Sequence, residues 1–142
     1  MNQEIKSYYQ IEESIHKDFF HTFSIEGYID TYQTEDDSLK YRHISSYGNK
    51  EITDSIICGV MRPDYNKNNE STIFVGLLNG NVEEIYSLDN KRKWSSSISD
   101  CRLTSICAPI SKQVIICGNE KGFIYTIDQI KRTVLCKSDN GT

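Results

Sequence analysis

The residues of this sequence that could do chemistry are its histidines, a serine run, an acidic loop and five cysteines. His16, His21 and His43 have no carboxylate or thiol at the spacing that closes around a metal ion, so they read as surface or strand-packed imidazoles. Ser95-Ser96-Ser97 lacks the Gly-x-Ser-x-Gly frame that lifts a nucleophilic serine onto a strained turn, and reads as a loop. Gly76 and Gly80 are spaced for a hairpin. No Gly-x-Gly-x-x-Gly or Walker pattern follows a strand and opens a helix, so a phosphate cradle is unsupported. The expectation is a chain with no catalytic residue and no cofactor, not an enzyme.

One loop could hold a cation. Asp64, Asn66, Asn68 and Glu70 place oxygen side chains at alternate positions, and a hard ion such as calcium uses that spacing because every second residue can turn inward. Lys67 brings opposing charge, however, and Thr72 stands where a further carboxylate would help. A solvated hairpin loop accounts for the same residues, and no metal is assigned. Cys58, Cys101, Cys107, Cys117 and Cys136 include no Cys-x-x-Cys pair and mostly sit in apolar runs, so buried reduced thiols are expected.

The formal net charge of -4 argues against nucleic acid, because holding a phosphate backbone requires a basic stripe. Lys91-Arg92-Lys93 is short and reads as a solvated turn. Met1 to Lys6 lacks the apolar stretch of a secretory signal, and no run approaches the ~20 apolar residues that span a bilayer. A cytoplasmic protein with no membrane partner is expected. The sequons Asn69-Glu70-Ser71 and Asn140-Gly141-Thr142 are then accidental.

The elements that would position these residues come from a repeat. Residues 72–88 and 114–130 both carry an apolar run ending in glycine, three residues, a second glycine and a second strand-like run. Gly76 matches Gly118, Gly80 matches Gly122, Val82 matches Ile124, and Ile85 matches Ile127. Each copy reads as a hairpin, with Asn79-Gly80 or Lys121-Gly122 at its turn. A spacing of three places Val82 and Ile85 on opposite faces of one strand, so both faces must be covered, as must those of Ile124 and Ile127. A worn third copy runs from Phe19 through Gly27, Ile29 and Tyr32. Ser55 to Gly59 and Thr104 to Ala108 supply a preceding strand. Leu39 to Ile44, Lys91 to Trp94 and Arg132 to Leu135 supply a following one. Met61 to Ser71 reads as an elongated loop.

Four-stranded units of about 40–45 residues resemble the blades of WD-repeat and quinoprotein-like β-propellers, over residues 17–138. Ile127-Asp128 stands where WD repeats carry Trp-Asp, and Ile85 to Trp94 resembles a quinoprotein-type repeat. The Gly-His pair of the former is missing, and Asn90-Lys91 replaces the Thr-Gly of the latter. A β-sandwich or a small barrel of similar hairpins is the competing arrangement. The expected fold is all-β: two to three four-stranded antiparallel blades forming an incomplete arc. Blades are expected near residues 17–46, 52–97 and 101–138. Residues 1–16 form an N-terminal segment with a strand or turn at 7–11.

Closed propellers use about four to eight blades. The arc must therefore be completed by more of the same polypeptide or by a second chain. The resemblance implies a non-catalytic scaffold for protein partners, with Tyr65 of the long loop as a possible contact. Two other readings follow from partial resemblances. One is a calcium-stabilised FG-GAP-like propeller of an adhesion or assembly complex, on the loop from Asp64 to Glu70. The other is a fragment of a quinone-dependent dehydrogenase.

Overall fold

The same tight turn occurs three times, and each time a glycine permits it. Gly27, Gly80 and Gly122 hold φ angles of 95, 91 and 89°, a left-handed backbone that a Cβ would penalise. Their N–H groups donate back to the carbonyls of Ser24, Leu77 and Asn119 at 3.1, 3.0 and 3.2 Å. Each turn reverses the chain between two strands, and further strands add on either side.

The computed structural model describes residues 8–13, 18–24, 26–35, 40–48, 55–63, 71–86, 92–109 and 111–139. Among them are three four-stranded antiparallel sheets and no helix. The first holds β1 (Tyr8–Glu13), β2 (Phe19–Ser24), β3 (Tyr28–Thr34) and β4 (Tyr41–Gly48). The second holds β5 (Ile56–Pro63), β6 (Ser71–Leu77), β7 (Asn81–Tyr86) and β8 (Arg92–Ser97). The third holds β9 (Leu103–Cys107), β10 (Val114–Asn119), β11 (Phe123–Asp128) and β12 (Val134–Asp139). Strands pair in chain order within every sheet. The sheets converge at their first strands, where β5 packs on β9 and both β1 and β2 approach β5. They stack as the blades of a β-propeller.

Because side chains alternate across a strand, the middle blade is apolar on both faces. Ile73, Val75, Leu77 and Ile85 close against Phe23 and Ile29 of the first blade. Phe74, Val82 and Cys58 close against Leu103, Ile115, Cys117, Tyr125 and Ile127 of the third. Val82 and Ile85 thus serve opposite junctions, as their spacing predicts. Burial of each such side chain contributes about 1.5–3 kcal/mol, which makes these two seams the core of the molecule.

Several local expectations differ from what the fold shows. The first sheet reaches back to Tyr8, inside the stretch set apart as an N-terminal segment. Its Ile11 is 65% exposed, so this strand lacks the buried alternation that would mark it. Met61, Arg62 and Pro63 continue β5 instead of opening a loop. Ser95-Ser96-Ser97 is the end of β8, where small hydroxyl residues need only complete a hydrogen-bonded ladder. Arg92 and Lys93 lie in that strand too, and Lys93 is buried. Cys58 and Cys117 are buried as expected, but Cys107 and Cys136 are exposed and Cys101 is half-buried. The candidate metal loop, with Asp64, Tyr65, Asn66, Asn68 and Glu70, lies outside the described residues.

Candidate interaction surface

The blades are joined by pairing a large residue with a glycine. At the first junction a Cβ on Gly59 would stand 2.8 Å from Cε1 of Phe23. At the second, a Cβ on Gly76 would stand 2.7 Å from the Cys58 sulfur and 3.0 Å from Cβ of Leu103. The arriving chain is also held by its backbone, since Ile98 and Ser99 donate to the Gly80 carbonyl at 3.2 and 3.1 Å. Asn119 Nδ2 donates to Ser99 Oγ at 2.9 Å, fixing the third turn to the same linker.

Polar groups cross both seams. Tyr47 donates to Glu83 Oε1 at 2.5 Å across the first, and Arg92 holds the other carboxylate oxygen at 3.0 Å. Across the second, Arg132 Nε and Nη2 both reach Glu84 Oε1 at 3.0 Å. Glu84 Oε2 accepts from Thr72 at 2.8 Å and from Lys93 at 3.3 Å. The Lys93 and Glu84 side chains are each 6% exposed, so neither charge could be left alone without a large desolvation penalty. Buried Arg62 donates to Gln129 Oε1 at 3.1 Å and to the Lys112 carbonyl at 2.6 Å.

Sequence reasoning missed this cluster, although a signal was present. Glu83 and Glu84 lie between Val82 and Ile85, which bury opposite faces of β7, so both carboxylates are drawn inside and must find donors. Of the repeat positions, Gly27, Gly80 and Gly122 make turns, while Gly76 and Gly118 lie within strands. Val82, Ile85 and Ile127 are fully buried, but Ile124 is 44% exposed because no blade among the described residues covers its side of the third sheet.

One grouping has the residue types of a hydrolase triad. On the first blade, Ser46 Oγ donates to Asp30 Oδ1 at 2.5 Å, and His43 Nε2 lies 3.1 Å from that oxygen and 2.7 Å from Ser46 Oγ. A triad needs serine on one ring nitrogen and the carboxylate on the other. Here a single nitrogen faces both, and Ser46 spends its proton on Asp30. The arrangement braces β3 against β4 instead of activating the hydroxyl. His21 Nδ1 pairs with Thr31 Oγ1 at 2.8 Å in the blade interior, and His16 lies outside the described residues. Beside His43, Phe20 stacks on Tyr32 with centroids 5.2 Å apart, and Tyr41 meets both rings edge-on.

The buried thiols are chemically quiet. Burial pushes the Cys58 thiol up to about 11, against one opposing hydrogen bond from Gly76. It pushes Cys117 up to about 12, with Cys58 and Cys107 nearby adding to the effect. Both stay protonated at neutral pH and are poor nucleophiles. On the surface, the Lys121 ammonium holds the Asp100 carboxyl below its ordinary range, and Asp100 raises Lys121 in return.

No family model matches the chain, and no curated protein matches it in sequence. Solved structures do. The crystal structure of Sqt1 from Saccharomyces cerevisiae matches with a TM-score of 0.79 at 14% identity, over 98% of this chain and 40% of that one. The crystal structure of BamB from Moraxella catarrhalis matches with a TM-score of 0.65 at 13% identity, over 92% of this chain and 35% of that one. The chain has the fold of these propellers and spans well under half the length of either.

Proposed function

We propose that this chain is an arc of a larger β-propeller and works as a non-catalytic scaffold for protein partners. The observation that carries the reading is the pair of filled junctions. Three blades are locked face to face by Phe23 on Gly59 and by Leu103 on Gly76, with Glu83 and Glu84 tied across the seams. A body stiffened in this way offers a firm base to the segments that join its strands, which suits recognition more than chemistry. The side chains best equipped for catalysis are engaged in bracing, as at Asp30, His43 and Ser46. The rest of the wheel comes from the same polypeptide or from a second chain.

Partner contact is assigned to residues 64–70, which join β5 to β6, with Tyr65 as the aromatic anchor. The acidic balance of the chain fits a protein partner better than a nucleic acid. The exposed thiols of Cys107 and Cys136 support a reducing compartment such as the cytoplasm. Replacing residues 64–70 by a short Gly-Ser linker tests the contact. Proteins crosslinked to the parent chain in a cell extract are expected to be lost while the far-ultraviolet dichroism is unchanged. Undiminished capture by the shortened chain would remove the loop from the reading.

A further inference from the structure

Gly76 and Gly118 occupy one register position in neighbouring blades, opposite Val82 and Ile124 respectively. Neither has the left-handed φ that the turn glycines require. A glycine inside a strand weakens it and commonly marks a place where another segment approaches closely. At Gly76 that segment is visible: Leu103, at the head of β9, would stand 3.0 Å from an added Cβ. At Gly118 an added Cβ would meet Ser105 Oγ at 3.2 Å and the Phe123 carbonyl oxygen at 3.7 Å, both from its own blade. The space is kept there, but among the described residues nothing from another blade fills it. The flanking positions repeat the contrast. Phe74 and Val82 beside Gly76 are sealed by the third blade, whereas Ile116 is half-buried and Ile124 is exposed.

We propose that the outward face of the third blade is a socket for a fourth blade of the same repeat, whose first strand opens with a large aliphatic residue seated on Gly118. This deepens the scaffold reading and rests on it. The occupant's chemistry follows from the two filled junctions. The receiving Phe23 meets an arriving glycine, Gly59, whereas the receiving Gly76 meets an arriving leucine, Leu103. Each joint sets one large side chain against a glycine, as close packing allows. A receiving Gly118 therefore calls for a residue of the Leu103 kind. A second copy of this chain answers less well. Three blades fill 40% and 35% of the two solved propellers, which leaves room for roughly four to five more, and a second copy brings three.

The test appends a second copy of residues 98–139 directly after Asp139, with Cys107 and Cys136 of the added copy changed to serine. The original Cys107 is exposed and pairs with Ile116, so it reports on the same outward face. Its alkylation by iodoacetamide, followed by mass spectrometry, is expected to slow at least tenfold in the fusion. Gly118→Leu should restore the fast rate by filling the socket. In the parent chain, Gly118→Leu should shift Tm by no more than about 1 °C, while Gly76→Leu should lower it by many degrees.

Unslowed labelling of Cys107 in a folded fusion, or equal slowing with Gly118→Leu, would overturn the proposal. So would a parent Gly118→Leu as damaging as Gly76→Leu, a result that does not depend on the fusion folding. Slowing in the parent itself as its concentration rises, abolished by Gly118→Leu, would give the socket to a second copy and also overturn it. Cys117 lies in the filled seam and separates these failures from failure of the propeller reading. If it reacts as fast as Cys107 in the parent, the blades do not stack and the broader reading falls.

Discussion

Between the first and second blades the contact is a phenyl ring pressed on a glycine, ringed by aliphatic side chains and crossed by the bond from Tyr47 to Glu83. Between the second and third, an aliphatic side chain lies on a glycine, with two thiols beside it and, at its edge, the buried pair Glu84 and Lys93 with half-exposed Arg132. Phe23 and Gly76 hold the same repeat position, but Gly59 pairs with Val75 and Leu103 with Asn119, so different positions of the arriving strand complete the two joints. The comparison teaches that one repeat geometry accepts quite different fillings, so each joint acquires its own weakness. The first joint depends chiefly on volume, the second on volume together with charge and protonation.

Removing volume should do the greatest harm. Phe23→Ala is expected to cost about 4 kcal/mol in urea unfolding, because it empties the first joint and leaves a cavity over Gly59. A loss below about 1 kcal/mol would mean the ring is not the joint. Glu84→Ala should follow at about 3 kcal/mol, since it strands buried Lys93. Replacing Glu84 and Lys93 together by leucine and methionine should recover most of that loss, and failure to recover would place the cost elsewhere than the stranded charge. Smaller still, Gly59→Ala and Gly76→Ala should each cost about 1–3 kcal/mol by overpacking, to a similar extent in the two joints.

The response to pH singles out the second joint. The folded thiols of Cys58 and Cys117 titrate at about 11 and about 12, above their ordinary value of 9.0. The stability that goes with their protonated forms is complete below pH 9 and lost as the pH rises toward 11 and 12. Its slope is at most about 1.4 kcal/mol per pH unit for each thiol. Thermal melts between pH 8 and 10.5 should therefore fall less steeply for a Cys58→Ala, Cys117→Ala double variant than for the parent. Equal slopes would show that burial of these sulfurs does not govern the alkaline response.

The sequence carried the hairpins well, because a left-handed turn needs glycine and an inward strand needs apolar residues. Both are local demands that one stretch of chain can express. Val82 and Ile85 even disclosed that both faces of β7 are covered. The outer and inner strands were harder to read. Ile11 stands on an uncovered face, and the serines of β8 have the composition of a loop while serving a ladder. Least legible were the cross-blade partners. Nothing near Glu84 in sequence announces Arg132, nor does anything near Gly76 announce Leu103, since those meetings exist only once the blades stack. The trio of Asp30, His43 and Ser46 has a similar cause, for register alone brings β3 and β4 side chains together.

That strands pair strictly in chain order has a consequence for how the protein is made. Each blade is complete as soon as its own stretch has left the ribosome, with no need to wait for a distant partner. Hairpins close within about 1–10 μs, whereas the second blade, Ile56–Ser97, takes roughly 2–8 s to emerge at ~5–20 residues per second. Through those seconds the first blade stands finished with Phe23 and Ile29 bare. During synthesis, then, the growing end of the arc always presents one sticky face, and translation speed sets how long it does so.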